Sequence, residues 1–180
     1  MPDSHYLISK ARAKMLMKYP FFGSLALFLQ PREDTSTPTM RTEGFDLIYH
    51  DHFVQGLVRT GGISRLMGAL VHEVMHAVLQ HIWRRGTRDR DLWNMACDYV
   101  VNQIVKEQEF QLPSGVFVSD RFKGMAADSV YNILLQKLPP KLQEEAEKTS
   151  PSGQSGQGQP KQEAQKGTQR WYLMKKWRHR

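Results

Sequence analysis

Between residues 63 and 82 apolar side chains recur densely: Ile63, Leu66, Met67, Leu70, Val71, Val74, Met75, Val78, Leu79 and Ile82. Wound as a helix they cover most of its circumference, and a helix apolar nearly all round belongs in the middle of a domain. The pattern predicts one helix from about Ile63 to Arg85, with Gly86 as its C-terminal stop. A second strongly apolar helix is expected from Asp89 or Asp91 to about Lys106, its acidic start suiting the helix dipole. Ile8, Ala11, Met15 and Leu16 mark one face of an N-terminal helix that ends at Tyr19-Pro20. Phe21–Leu29 is an apolar run in which periodicity does not separate strand from buried helix.

The remaining segments are shorter. Residues 31–42 are punctuated by Thr and Pro and read as loop. Gly44–Tyr49 predicts a short antiparallel strand, and Asp51 a helix N-cap for a segment through Val58. Gly61-Gly62 is expected to break that segment from the next. Pro113 and Gly115 mark a loop, and Asp128 opens a last helix stopping at Pro139-Pro140. The folded domain is therefore expected over residues 5–140, followed by a flexible linker and a basic aromatic tail over 141–180. Residues 149–169 are rich in Ser, Gly, Gln and Pro, a composition that cannot bury enough surface to offset its ordering entropy. A linker so near the C-terminus suggests an absent second module.

Charge sharpens this division. Residues 1–140 carry 16 Lys+Arg and 14 Asp+Glu, so +5 of the net +7 falls in residues 141–180. The basicity is thus a property of the tail, where Trp171, Tyr172 and Trp177 accompany it. Aromatic and basic residues together suit single-stranded nucleic acid, which makes that contact through the tail an expectation. No run approaches the ~18 apolar residues of a membrane span. The N-terminus lacks a secretory signal, and a single cysteine, Cys97, excludes an internal disulfide. These features point to the cytoplasm.

The chemistry sits inside the central helix, at His72-Glu73-Val74-Met75-His76. At about 100° per residue the two histidines lie about 40° apart and one turn removed, so their rings can meet at one metal ion. Glu73, angled toward the open side, can take a proton from a water on zinc and hand it to a leaving amine. The alternative is a solvated surface helix. The apolar surroundings oppose it, because buried polar groups there require a partner such as a cation.

A third ligand is needed. His81 lies five residues beyond His76, about 140° around a continuing helix. No Gly or Pro interrupts residues 77–80, so His81 is expected on the far side. Asp98 is the better candidate: Asn94, Asp98 and Asn102 form a polar stripe through the second apolar helix, and a carboxylate buried there would face the histidines. The alternative for Asp98 is to accept a hydrogen bond from a ligand imidazole. Asn94 and Asn102 are then orienting groups. Cys97 points about 100° from Asp98 and reads as an inert buried residue. Asp89 and Asp91 read as helix-start residues, and Tyr99 and Tyr131 as core rather than oxyanion donors.

Several blocks resemble, in order, a bacterial and phage metallopeptidase-domain family whose members often precede a von Willebrand factor A-like domain. These are Lys18–Gly23, Pro38–Gly44, the His72–His81 run, Leu92–Asn102, Leu112–Gly115 and Ser129–Tyr131. The resemblance implies a zincin-like α+β fold: mostly helical, with a small antiparallel sheet over the metal-binding helices and a peptide substrate along an edge strand. It also implies metal-site roles for His72, Glu73 and His76. The expected function is a zinc metallopeptidase with Zn2+ on His72, His76 and Asp98, and Glu73 as base. The alternative is a metal-stabilised module binding nucleic acid or a protein partner without efficient proteolysis. An intact Glu73 favours the hydrolase, since a structural metal needs no base.

Overall fold

The computed structural model describes residues 2–148 apart from Ser114. Helix α1 (Ser4–Lys18) is capped by Asp3, whose carboxylate accepts from the His5 amide. It buries Leu7, Ile8, Ala11 and Met15, while Leu16, expected on the same face, is 37% exposed. The ambiguous Phe21–Leu29 run is helical, as α2 (Pro20–Phe28) with Pro20 in its first turn. Buried Arg12 donates from Nη2 to the Leu29 carbonyl at 2.5 Å and so closes the end of this helix.

The stretch expected to be loop contributes two four-residue strands, β1 (Gln30–Glu33) and β2 (Met40–Glu43). Strand β3 (Asp46–Tyr49) lies between them, parallel to β1 and antiparallel to β2. The sheet is therefore mixed, not antiparallel throughout. Proline is tolerated in β1 because β1 is an edge strand. In β2 the two-residue alternation turns Met40 and Thr42 inward and leaves Arg41 and Glu43 toward solvent.

Helix α3 (Asp51–Val78) is capped by His50, whose Nδ1 accepts from the His52 amide; Asp51, expected as the cap, is its first residue. Asp51 instead accepts from the Ser4 hydroxyl at 2.5 Å and ties α1 to α3. The expected break occurs at Gly62, with φ 65° and ψ −168°, a backbone region open essentially to glycine alone. Farther on, α3 ends at Val78 rather than running to Arg85. Gln80 turns left-handed at φ 55°, and the chain restarts as the short α4 (His81–Arg84). Val78 and Ile82, expected to be buried, are 42% and 43% exposed as a result.

Helix α5 (Arg90–Glu107) starts behind Asp89, whose carboxylate accepts from the Leu92 amide at 2.9 Å. Helix α6 (Ala127–Gln136) opens one residue before Asp128. Beyond the expected boundary at residue 140 the chain is helical again, as α7 (Pro140–Lys148), and Ala146 there is buried.

Two hydrophobic clusters result. One gathers α1, α2, the sheet and α3; the other gathers α6, α7 and the first half of α5. Helix α5 belongs to both: Val101 and Val105 enter the first, Leu92, Trp93, Met95, Ala96 and Cys97 the second. Asp98 and Asn102 of α5 are thereby held against α3, between two cores. Among the described residues no helix is long and apolar enough to cross a membrane.

Candidate metal centre

His72 and His76 leave α3 on the side facing α5, and their Nε2 atoms lie 2.9 Å apart. Asp98 Oδ1 on α5 is 3.6 Å from His72 Nε2 and 3.3 Å from His76 Nε2. Ligand atoms about 2.0–2.1 Å from a tetrahedral zinc stand about 3.3 Å from one another. All three separations straddle that value, so the donor set fits a single zinc-sized ion without rearranging either helix. Among the described residues these three form the one group of His, Cys and acidic side chains so converged. Asn102, one turn beyond Asp98, is buried; its Oδ1 sits 2.8 Å from His72 Nδ1, and its Nδ2 donates to the Phe117 carbonyl at 3.1 Å.

Glu73 is 8% exposed, beside the histidines. The Thr42 hydroxyl of β2 lies 2.8 Å from Glu73 Oε2 and 3.2 Å from the Glu73 carbonyl oxygen; its single proton goes to the carboxylate. Burial pushes the Glu73 carboxyl up to about 7, against the opposing pull of His72 and the Thr42 hydroxyl. The carboxyl opens into a cavity of about 350 Å³ that also receives His72, Asp98 and Asn102. Met40, Phe53, Ala69, Val116 and Phe117 supply its apolar wall. Two imidazoles, a carboxylate and a separate buried acid, with His72, Asp98 and Glu73 lining an apolar-walled cavity, are a set of groups that metal-assisted hydrolysis can use.

Residues 4–176 match the family described as "Putative metallopeptidase domain". The chain belongs to this metallopeptidase-domain family. An "Uncharacterized protein" of Thermotoga maritima is 41% identical over 81 residues, 43% of this chain. The match spans 19% of that protein's length. No solved structure matches the chain.

Membership in the metallopeptidase-domain family leaves the neighbours of the cluster to be placed. His81 is not on the far side of a continuing helix. The left-handed turn at Gln80 brings it back, 3% exposed, with its Nδ1 3.3 Å from His76 Nδ1. Burial, with His76 and Arg84 close by, pushes its imidazolium down to about 3. Asn94 is exposed, away from the centre. Cys97 is buried and burial pushes its thiol up, in keeping with an inert residue. Tyr131 lies in the core with its hydroxyl accepting from the Asp89 amide at 3.2 Å, and Tyr99 packs on Phe117 and Phe122. Thr42 lies in a segment with the composition of a loop; the alternation of Met40 and Thr42 and its place in the Pro38–Gly44 block are the signals that point to it. The linker and Trp171, Tyr172 and Trp177 lie outside the described residues.

Proposed function

We propose that this chain is a zinc-dependent peptide hydrolase. The observation that carries the reading is the convergence of His72 Nε2, His76 Nε2 and Asp98 Oδ1 beside a buried carboxylic acid that is not itself one of the three. Those three atoms would hold the ion. When bound, it supplies Lewis-acid polarisation of a scissile carbonyl and makes a water acidic enough to be deprotonated near neutral pH.

The protein's own groups supply the remainder. Glu73 takes the proton from the attacking water and passes it to the departing amine, so a C–N bond breaks as a C–O bond forms. Thr42, donating to Glu73 Oε2, leaves the other carboxylate oxygen for that transfer. Asn102 accepts from the Nδ1–H of His72 and keeps its Nε2 bare. The apolar wall formed by Met40, Phe53 and Val116 excludes water and offers room for a substrate side chain.

The test is the Glu73→Gln variant, assayed for zinc content, fold and cleavage of fluorescently labelled casein beside the unaltered chain. Retained zinc and fold with cleavage reduced at least 100-fold is expected. Unchanged cleavage would refute the role of Glu73. A chain that binds zinc but cleaves nothing would favour the metal-stabilised binding module instead.

A further inference from the structure

Resting on this metal reading, we propose that His81 is a positioning residue for His76. Its ring accepts, at Nδ1, the Nδ1–H of His76, and so holds that ligand in the tautomer whose Nε2 is bare toward His72 and Asp98.

Proton bookkeeping around the centre leads there. Asn102 donates from Nδ2 to the Phe117 carbonyl, which turns its Oδ1 toward His72. An amide oxygen can only accept, so His72 carries a proton on Nδ1, and as a metal ligand it leaves Nε2 bare. The Nε2 of His76 lies 2.9 Å from that bare nitrogen and 3.3 Å from Asp98 Oδ1. To serve as a ligand it must also be bare, so the one proton of a neutral His76 belongs on Nδ1. What the fold sets opposite that Nδ1, at 3.3 Å, is the Nδ1 of His81. The two ligand histidines are thus served by different acceptors, an amide oxygen for His72 and an imidazole nitrogen for His76.

The placement of His81 is maintained against local preference. The left-handed region is disfavoured for glutamine, yet φ is 55° at Gln80 and the helix is interrupted. From α5 the Trp93 indole N–H reaches across to donate to the His81 carbonyl at 2.8 Å. The His81 ring stands edge-on to the Trp93 ring, 6.1 Å between centroids, and is 3% exposed. A helix running on to Arg85 would have carried this ring away from His76; the interruption delivers it.

The experiment measures zinc affinity by competition with a chromophoric chelator for the full chain, His81→Phe and His81→Asn. Phenylalanine keeps a ring but offers no acceptor, whereas the Oδ1 of asparagine stands where Nδ1 stood. Losing such a partner weakens metal binding about 10–100-fold, and that loss is expected for His81→Phe. His81→Asn is expected to recover most of it. Equal affinity for His81→Phe and the unaltered chain would overturn the proposal. A second measurement needs no variant: long-range proton–nitrogen spectra of the zinc-loaded chain should show His76 protonated at Nδ1 and His81 bare at Nδ1. A proton on His81 Nδ1 would overturn it even if His81→Phe fails to fold. An unaltered chain that takes up no zinc is a different result, and it overturns the metal reading itself.

Discussion

Replacing Asn102 by leucine separates the two things this side chain does. Asn102 is 2% exposed, and leucine approximates its branched shape without its polar atoms. Two hydrogen bonds vanish: the one accepted from His72 Nδ1 at 2.8 Å and the one donated to the Phe117 carbonyl at 3.1 Å. Each contributes about 1 kcal/mol net, and a partly buried ring N–H left without its acceptor adds about 1–3 kcal/mol. The metal-free variant should therefore lose about 3–5 kcal/mol. Zinc adds a second loss, because His72 is no longer confined to one tautomer. A 10–100-fold weaker site corresponds to about 1.4–2.8 kcal/mol when zinc is in excess. The assay is urea unfolding of both chains with chelator and with excess zinc. The gap between them should widen by that second amount in zinc. A gap of the same size in both conditions would refute the orienting role and leave Asn102 as a structural bond only. Asn102→Asp sharpens the reading: it keeps an acceptor for His72 and loses the donor to Phe117, so it should be destabilised yet bind zinc nearly as tightly as the unaltered chain.

Gly68→Ala should destabilise by about 1–3 kcal/mol despite alanine's better helix propensity. Its new Cβ would stand 2.1 Å from the Gln111 carbonyl oxygen, and thermal melts would reveal the loss; an unchanged melting temperature would mean that the loop shifts freely. Gln80→Gly should stabilise the chain by about 0.5–1 kcal/mol by relieving the left-handed backbone, without tightening zinc binding; lower stability in urea would contradict the strain. Ser4→Ala tests a carboxylate. The Ser4 hydroxyl holds the Asp51 carboxyl below its ordinary value, so its contribution is present above the unfolded carboxylate range and lost as pH falls through the lower folded value. The stability difference between the two chains should shrink on acidification, and NMR titration should show the Asp51 carboxyl moving up in the variant; an identical titration would refute the coupling.

The parts of the fold that were legible are the ones carried by long periodic signals. The apolar density of residues 63–79 spans several turns, and the four-residue spacing of Asp98 and Asn102 repeats one face of the next helix, so tertiary packing had only to agree with them; Asn94, in the same spacing, is exposed. Asp98 could be singled out because a carboxylate in an apolar helix needs a cation wherever the helix packs. The strands were hidden for the opposite reason. Four residues in β1 and four in β2 hold only two side chains per face in each strand, and Pro31 and the nearby threonines carry the composition of turns. Their identity as strands comes from β3, which pairs with both, and from α3, against which Thr42 packs through Glu73. Thr42 was consequently lost together with β2.

Gln80 is the most instructive failure. Spacing and propensity both continue the helix there; the chain breaks the rule because tertiary contacts outweigh it. One indole hydrogen bond from Trp93 and the burial of the His81 ring are together of the size needed to offset a left-handed glutamine. Natural sequences agree with their folds at most levels, so a violation maintained by compensating contacts marks a position where something other than stability is served. Here the violation lies four residues from His76 and its consequence is a ring nitrogen 3.3 Å from that ligand. Asp98 was legible because its chemistry conflicts with its own helix, whereas His81 was not, because the conflict that reveals it is in the backbone of the residue before it.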